Sequence, residues 1–417
     1  MAKSNHNMED RYSCLSHEQS LWHFPDRQEC LSSKIELDTV CQGDGAIIFP
    51  VGKKLTIAYI ANANWVHGQR FARFFAERGH RVVFISFKPA ELPGIEVRTL
   101  RRRHLGVADW FTTTHIAHRQ LAELRPDVAH YHFAPSYAFL ASLINYHPNV
   151  VTVHGTDVMS SWEEIGLTPL YTVFMMPFVI ASLRKADVVT SVAGHLTGLM
   201  EAYGVPRKRI VTFQYGLELE RYECKPRQNH GHIVLSTRNY FNYYRLDVLI
   251  KAAALVLAKR QDVTFLFAGE GPLRGKLERQ IAQLGISEHC RLLGKVTSEA
   301  IVDLCGRSAI YASSSAIDGT SLSLLEAMAT GLYPVVSDIA ANRWWIKAGE
   351  GGTLVASQEP QAWAQAIVEV LDDEERRIHA LAVNRSRVER DADWRANMLR
   401  MEDIYYELAE RRRSISI

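Results

Sequence analysis

From about residue 54 onward, short apolar runs alternate with stretches in which apolar residues recur every three or four positions. The run at 55–61 is typical of a buried strand, and the stretch at 69–78, which ends at Gly79, is typical of a helix. Further strands are predicted at 81–87, 128–133, 150–154, 188–191 and 210–214, with helices near 112–124, 136–145, 168–184 and 194–203. Strands that alternate with helices predict a parallel sheet covered on both faces.

The alternation starts again at residue 232. Strands are predicted at 232–236, 263–268, 290–293, 309–312 and 333–337, and helices at 246–258, 273–284, 298–306 and 322–329. A polar segment that contains proline and glycine, residues 219–231, separates the two halves and has the composition of a linker. We therefore predict an α/β chain with two Rossmann-like βαβ domains, residues 53–218 and 232–392, that face a central cleft.

Composition and charge exclude several classes of protein. The net charge of +2 predicts no nucleic-acid partner, and no apolar run approaches the roughly 18 residues of a membrane span. The N-terminal stretch lacks the apolar segment of a secretory signal, and the six cysteines are scattered, which indicates a cytoplasmic protein with reduced thiols. Residues 1–52 have no clear periodicity, and their histidines and cysteines fit no common zinc spacing, so a poorly ordered extension is expected.

One stretch, from Asp318 to Asp338, combines several groups that could bind a ligand. Asp318 lies in a predicted loop, and Glu326 follows eight residues later on the helix 322–329. The first amides of a helix have no partner within it and form a ready site for an anion. Two carboxylates beside such amides suit a ligand that carries both hydroxyls and phosphates. The amides in question belong to Gly319, Thr320, Ser321 and Leu322.

The same stretch also has a purely structural interpretation. Ser323 and Glu326 match the spacing of a capping box, and Asp318 could cap the turn before the helix. From these residues alone, both interpretations stay open.

The stretch resembles the acid-x7-acid signature of the retaining glycosyltransferases of family 4, including its continuation Glu326-Ala-Met-Ala-Thr-Gly-Leu-Tyr-Pro-Val-Val336. The resemblance implies a GT-B fold, in which a C-terminal helix, here within 393–417, returns to the N-terminal domain. It further implies that Asp318 contacts the hydroxyls of a donor sugar and that Glu326 contacts the ribose of a nucleotide. This chain has Asp318 where the common form has glutamate.

A candidate phosphate ligand follows a strand of the second domain. Arg238 lies two residues after the strand 232–236, and ligands of open α/β sheets bind at the carboxyl ends of strands. A guanidinium there can pair with a diphosphate in two-pronged fashion. Family members have a lysine five residues later, whereas this chain has Tyr243 there and its next cation is Arg245. Arg245 is either a substitute for the lysine or a solvated charge at the start of a helix.

A histidine at a strand end is the corresponding candidate in the first domain. His154 ends the predicted strand 150–154, and the resemblance implies that it contacts the transferred sugar; a buried, hydrogen-bonded histidine is the alternative. His130 and His132 lie on one face of another strand and, with His154, could imitate a three-histidine metal site. The family needs no metal, so no metal site is expected.

Three further groups have less specific patterns. Gly294, Lys295 and Val296 resemble the family segment whose backbone meets the nucleobase. His67 and Arg70 follow the first strand and are candidate acceptor contacts, with solvated side chains as the alternative. The basic run at 101–104 could contact anionic lipid headgroups or a pyrophosphate-linked acceptor, or it could be a solvated loop.

The predicted function is that of a retaining, metal-independent glycosyltransferase of hexosyltransferase type, without a cofactor. It would move a sugar from a nucleotide diphosphate sugar, with UDP as the expected nucleotide, to an acceptor hydroxyl in polysaccharide, glycolipid or glycoconjugate biosynthesis. The acceptor, a lipid-linked saccharide or a small molecule, stays open, as do the oligomeric state and peripheral contact with the inner membrane face.

The alternative is a protein of the same fold that binds nucleotide sugars without transferring them. The missing lysine and the replacement of the first glutamate by Asp318 motivate it. A nicotinamide oxidoreductase is excluded, because the glycines of 269–275 do not match the Gly-x-Gly-x-x-Gly fingerprint.

Overall fold

The two alternations of strand and helix fold into two separate parallel sheets. The computed structural model describes residues 53–100, 108–132, 135–155, 158, 169–222 and 232–415. Residues Lys54–Ile417 form one compact unit. The predicted extension at 1–52, the basic run at 101–104 and most of the predicted linker, residues 223–231, lie outside the described residues.

The first sheet defines the N-terminal lobe. Its strands are β1 (Thr56–Ile60), β2 (Arg81–Ser86), β3 (Glu96–Thr99), β4 (Val128–His132), β5 (Asn149–Val153), β6 (Val188–Ser191) and β7 (Ile210–Thr212). All are parallel, in the order β3-β2-β1-β4-β5-β6-β7. The helices of this lobe are α1 (Val66–Glu77), α2 (Ala108–Leu124), α3 (Pro135–Leu143), α4 (Pro169–Lys185) and α5 (His195–Ala202).

The second sheet defines the C-terminal lobe. Its strands are β8 (His232–Ser236), β9 (Val263–Ala268), β10 (Cys290–Gly294), β11 (Ile310–Ser313), β12 (Tyr333–Ser337) and β13 (Thr353–Val355). They are parallel, in the order β10-β9-β8-β11-β12-β13. The helices are α6 (Leu246–Leu257), α7 (Arg274–Gln283), α8 (Ser298–Arg307), α9 (Leu322–Ala329), α10 (Ala340–Trp345), α11 (Pro360–Asp372) and α12 (Glu374–Asp391).

Helices cover both faces of each sheet, which is why the central strands are apolar along their whole length. No residue of β5 or β12 is exposed. In the C-terminal lobe, the two faces of the sheet support two distinct cores, one around Trp363 of α11 and the other around Met328 of α9. The predicted pair of Rossmann-like parallel sheets is therefore confirmed.

Two short edge strands, β3 and β13, were not predicted. β3 contains Glu96 and Arg98, which form an ion pair on the exposed edge of the sheet. Its sequence therefore has no apolar run that would predict a strand. β13 has only three residues. The first helix also differs, because α1 begins at Val66 rather than at residue 69, which places His67 in its first turn.

A final helix, α13 (Trp394–Ile415), leaves the C-terminal lobe and packs on the N-terminal lobe. Its buried residues include Met398, Met401 and Tyr405, which belong to the same core as the first sheet. The Tyr405 hydroxyl lies 2.9 Å from that of Tyr59 on β1 and 2.5 Å from His130 Nδ1 on β4. The C-terminal helix returns to the N-terminal lobe, as the family resemblance implied.

A charged cluster reinforces this return. Glu402 of α13 accepts from Arg78 Nε and Nη2, both at 2.7 Å, and its side chain is only 5% exposed. His80 Nδ1 accepts from the Leu55 amide, so the ring carries its proton on Nε2 and donates to Glu402 at 2.8 Å. Burial opposes the carboxylate charge, but the hydrogen bonds from His80 and Arg78 outweigh it and lower the pKa of Glu402.

The chain crosses between the lobes twice at one place. Leu217, after β7, forms a bridge with Asp393, just before α13. The Leu217 amide donates to Ala392 O at 2.8 Å, and the Trp394 amide donates to Leu217 O at 2.9 Å. Among the described residues, no helix combines the length and the apolar character needed to cross a membrane.

We expect Glu402→Gln to lower the free energy of unfolding by about 3 kcal/mol, since it leaves Arg78 without its buried counter-ion. Denaturant titration monitored by circular dichroism measures the loss. Glu407→Gln is the matched control on the same helix, because its carboxylate is 42% exposed and lies 3.7 Å from Arg411. Its effect should stay within about 0.5 kcal/mol. Equal losses in the two variants would contradict a structural role for the cluster.

Candidate functional site

Arg238 lies where the carboxyl end of β8 meets the start of α9. Because β8 and β11 are neighbours, the loops that follow them lie side by side. Arg238 in the first loop donates from Nη2 to Asp318 Oδ2 at 2.5 Å and from Nη1 to Ser321 Oγ at 2.6 Å in the second loop. Three residues selected from the sequence are thus in direct contact.

The Arg238 guanidinium is almost completely removed from solvent. Its side chain is 7% exposed, and that of Asp318 is 15% exposed. One face of the guanidinium lies 4.0 Å from the centroid of the Tyr244 ring. Burial disfavours the charged form, but the Asp318 carboxylate and the Tyr244 phenol outweigh it and raise the pKa, so Arg238 is a permanent cation. Its Nε is buried without a hydrogen-bond partner among the described residues.

The cap of α9 differs from the structural alternative that the sequence offered. Ser321 is the N-cap, and its hydroxyl accepts from the Leu324 amide at 3.2 Å. Ser323 is already inside the helix and donates to Thr237 O at 3.1 Å. The predicted capping box of Ser323 and Glu326 is therefore wrong, and Asp318 pairs with Arg238 instead of capping the turn. The cap that forms, Ser321, lies two residues before Ser323.

Glu326 is the second carboxylate of the stretch. It lies on α9 and accepts from the Tyr222 hydroxyl at 2.9 Å. Burial raises its pKa, although the Tyr222 hydrogen bond and the charge of Arg70 act in the opposite direction. Tyr222 directly follows the short helical turn 219–221, which leaves the N-terminal lobe. The Glu326 carboxylate is thus held at the junction of the two lobes.

His154 follows β5 and faces the cleft from the N-terminal lobe. The Tyr215 hydroxyl contacts its ring nitrogens, and the Trp65 ring meets it edge-on with centroids 4.8 Å apart. Burial, with smaller contributions from the charges of His132 and His67, holds the pKa of His154 well below its usual range. His154 is therefore a neutral imidazole at neutral pH, able to accept or donate one hydrogen bond at each nitrogen.

His130 and His132, which with His154 could have imitated a three-histidine metal site, are core residues. His130 uses both ring nitrogens, one toward Tyr405 and one toward Thr152 Oγ1 at 2.6 Å. His132 is enclosed by aromatic rings, and both its nitrogens lack a partner in the described part of the chain. Within that part, no group of three or more His, Cys, Asp or Glu side chains could hold a metal ion.

The two candidate acceptor residues lie on α1, on the N-terminal side of the cleft. His67 stacks on Tyr215 with an interplanar angle of 8°, and burial together with the Arg70 charge lowers its pKa to about 4. Arg70 lies over the Trp394 ring at 4.1 Å and pairs with Glu218 at 3.4 Å. His67 therefore borders the His154 cluster, whereas Arg70 also connects α1 to the crossing between the lobes.

Arg245 and the candidate nucleobase segment follow β8 and β10, the two strands that flank β9. Arg245 precedes α6 in a left-handed conformation with φ 49°, and its carbonyl accepts from Ser314 Oγ at 2.8 Å. Gly294 ends β10, and its carbonyl accepts from the Gly269 amide at 2.9 Å. Lys295 is exposed and Val296 is half-buried. These residues border the same edge of the sheet as Arg238.

The lobes meet along a seam beside these groups. A Cβ atom at Gly155 would lie 2.5 Å from Gly319 Cα, and one at Gly319 would collide with the His154 carbonyl. Gln214 donates from Nε2 to Thr320 Oγ1 at 2.6 Å, and Thr320 Oγ1 donates to Val192 O at 3.1 Å. The seam places the Asp318 loop against the strand ends of the N-terminal lobe.

Gly194 is a third glycine at a contact between the lobes. Gly194 has ordinary right-handed helical angles, φ −65° and ψ −31°, so its backbone does not require glycine. A Cβ there would collide with the Trp344 ring of the C-terminal lobe. The close approach of Trp344 explains why glycine occupies the position.

Sequence reasoning missed three tyrosines in the site. Tyr244 stacks on Arg238, Tyr222 binds Glu326, and Tyr215 contacts His154. Tyr244 could have been suspected, since it lies in the segment that separates Arg238 from Arg245. The other two come from the crossing between the lobes and leave no local signal.

Two family models match this chain. Residues 224–384 match a model described as glycosyl transferases group 1, and residues 56–193 match one described as glycosyl transferase 4-like. The two matches fall on the C-terminal and N-terminal lobes respectively.

Several proteins with similar sequences are named as glycosyltransferases. The D-inositol 3-phosphate glycosyltransferase of Corynebacterium urealyticum is 34% identical over 138 residues, which cover 31% of this chain and 32% of the relative. That of Thermobispora bispora is 25% identical over 231 residues, covering 51% and 54%. The chain thus spans less than two thirds of the length of either relative. The phosphatidyl-myo-inositol mannosyltransferase of Mycobacterium tuberculosis is 28% identical, with 64% and 70% covered.

Solved structures share the whole two-lobed arrangement. Anabaena Alr3699/HepE in complex with UDP and glucose has a TM-score of 0.69 at 15% identity, covering 85% of this chain and 100% of that chain. A glycosyltransferase from Rickettsia africae has a TM-score of 0.70 at 17% identity, covering 86% and 99%. At such identities the likeness establishes the fold, which is GT-B as expected.

We expect Gly194→Ala to displace the Trp344 ring, because its methyl group would occupy the space of that ring. Trp344 is 41% exposed, so the ring can move while the main chains of the two lobes stay in contact. Tryptophan fluorescence should report a shifted emission in Gly194→Ala, and the shift should be absent when the same substitution is made in Trp344→Phe. Gly198→Ala is the matched control on the same helix, since nothing lies within 4 Å of its Cβ position. That control should gain about 0.5–1 kcal/mol of stability. An emission spectrum unchanged by Gly194→Ala would show that the Trp344 ring does not lie against Gly194.

Proposed function

The chain belongs to the family 4 glycosyltransferases of the GT-B fold, and on that premise we propose that it transfers a sugar from a nucleotide diphosphate sugar to an acceptor hydroxyl. The observation that carries the proposal is the buried Arg238 beside the first turn of α9. A permanent cation whose Nε has no partner among the described residues, next to the first amides of a helix, is suited to a diphosphate.

The diphosphate end of the donor is assigned to the C-terminal lobe. Arg238 would bind the phosphate oxygens through its guanidinium fork, with Tyr244 holding the plane of that fork. The amides of Gly319, Thr320, Ser321 and Leu322 would add neutral donors to the same charge. Together they would stabilise the negative charge that grows on the leaving diphosphate. Arg245 is proposed as a further contact at the start of α6.

The remaining parts of the donor are assigned to the carboxylates and to His154. Glu326 would accept hydrogen bonds from the ribose, in place of the one it accepts from Tyr222. Asp318 and His154 would bind the sugar hydroxyls from the two lobes, because the seam brings their loops into backbone contact. The nucleobase would lie against Gly294, Lys295 and Val296. UDP is the proposed nucleotide, a choice supported by the UDP bound in Alr3699/HepE.

The proposed reaction keeps the configuration of the sugar and uses no metal and no cofactor. The acceptor oxygen would attack the anomeric carbon on the face from which the diphosphate leaves. The glycosidic bond would form as the bond to the phosphate oxygen breaks, and that oxygen would take the proton of the acceptor hydroxyl. Contact between the lobes would exclude water, so that the acceptor hydroxyl is the available nucleophile. His67 and Arg70, at the N-terminal side of the cleft, are the proposed acceptor contacts. Relatives named for inositol phosphate and phosphatidyl-myo-inositol support a small polar or lipid-linked acceptor.

A second candidate function is nucleotide-sugar binding without transfer. It is favoured by Tyr243, which stands where the family has a second cation, and by the use of Arg238 in an ion pair with Asp318. Both features reduce the positive charge available to a leaving diphosphate.

Incubation with a panel of UDP and GDP sugars, with nucleotide release as the readout, tests the transfer. We expect Glu326→Ala to lower kcat/KM by roughly 10- to 100-fold, because charge-assisted hydrogen bonds to the ribose are lost. Glu369→Ala, an exposed carboxylate on α11, is the control and should leave the rate unchanged.

Wild-type activity in Glu326→Ala would remove that residue from the donor site. Calorimetric binding of a nucleotide sugar, with neither transfer nor hydrolysis across a panel of acceptors, would instead favour the binding-only function.

A further inference from the structure

We propose that Asp318 acts as a stand-in for the donor diphosphate: it occupies Arg238 while the site is empty and leaves it for the sugar hydroxyls when a nucleotide sugar binds. This inference rests on the proposed function of the site. If the exchange occurs, Asp318 also competes with the nucleoside diphosphate product for the Arg238 guanidinium.

The geometry of the ion pair is the first step. A single oxygen of Asp318 approaches a single nitrogen of Arg238, Oδ2 to Nη2, at 2.5 Å. The other terminal nitrogen is held by Ser321, and Nε is buried without a partner among the described residues. A guanidinium can donate five hydrogen bonds in a fixed fork. The carboxylate therefore uses only part of the donor capacity that is buried here.

Burial of the Arg238 cation determines which of the two anions it prefers. A buried donor without a partner is unfavourable, and a buried cation without a counter-ion is more so. Asp318 supplies one negative charge and meets that larger requirement when no ligand is present. A diphosphate carries more charge and more acceptor oxygens than a carboxylate, and it can reach Nε as well. It is therefore the better partner for Arg238 and displaces Asp318.

The Asp318 carboxylate and the donor diphosphate would both pair with Arg238. Tyr244 covers one face of the guanidinium, and Tyr243 packs against Tyr244 with ring centroids 4.4 Å apart. The ion pair that Asp318 makes within the described residues is the one with Arg238. The Asp318 carboxylate and the terminal phosphate of the nucleotide therefore compete for Arg238.

The competition has opposite effects on substrate and product. When a nucleotide sugar binds, Asp318 exchanges Arg238 for the sugar hydroxyls and keeps hydrogen-bond partners. After the sugar has been transferred, those hydroxyls are gone and Arg238 is again the best partner for Asp318. Return of the carboxylate weakens the hold on the nucleoside diphosphate and favours its release.

Titration calorimetry with UDP and GDP, each compared with its monophosphate, tests this exchange. We expect Asp318→Asn to bind the nucleoside diphosphate on the order of tenfold more tightly than the unmodified chain. The monophosphate, which lacks the terminal phosphate, should gain little, and the nucleotide sugar should not gain, because the variant also loses its sugar contact. Product inhibition should strengthen by a similar factor.

Asp303→Asn is the matched control, since it removes the same charge from an exposed ion pair with Arg307 on α8. It should leave all affinities unchanged. Thermal unfolding is measured first for each variant. If Asp318→Asn does not fold, Asp318→Ser replaces it, with the same expected result, because its hydroxyl can still accept from Arg238.

The outcomes separate the inference from the function on which it rests. If the unmodified chain binds neither UDP nor GDP, the proposed function itself fails. If it binds one of them and the Asp318 variant binds that nucleotide no more tightly, the exchange is overturned. Equal gains for the diphosphate and the monophosphate would also overturn it, since general removal of a negative charge would then explain the result.

Discussion

The return of α13 to the N-terminal lobe is the constraint on which the rest of the structure depends. Tyr405 and Glu402 of this helix bind residues of β1, β4 and the α1–β2 turn, so the helix is fixed to the N-terminal lobe. The bridge between Leu217 and Asp393 then holds both crossings at one point. The lobes therefore meet at this bridge and along the seam, where the strand ends of one lobe face those of the other.

That arrangement explains why the site is assembled from both lobes. The carboxyl ends of parallel strands lie at one edge of each sheet, and both edges are lined by loops with polar residues. His154 comes from one edge, and Arg238 and Asp318 come from the other. Tyr222 and Tyr215 come from the crossing itself. The proposed donor site therefore uses residues of both lobes and of the crossing between them.

Most of the architecture could be predicted from the sequence because buried parallel strands are continuous apolar runs. The bounds of β8, β9, β12 and α9 agree with the predicted ranges. β3 could not be found, since an exposed edge strand held by Glu96 and Arg98 has the composition of a loop. In the site, the charged residues were found through local motifs. The tyrosines that hold Arg238 and Glu326 depend on tertiary contacts, and no spacing rule connects Tyr222 to a helix 104 residues away.

The contact between Gly155 and Gly319 has a mechanical consequence. Backbone atoms meet there without any side chain between them. A side chain could adjust to pressure by changing its rotamer, whereas main-chain atoms have no such freedom. The pair therefore limits how closely the lobes can approach, and this limit is set by van der Waals contact between main-chain atoms. It also sets a lower limit on the space between the loops that carry His154 and Asp318.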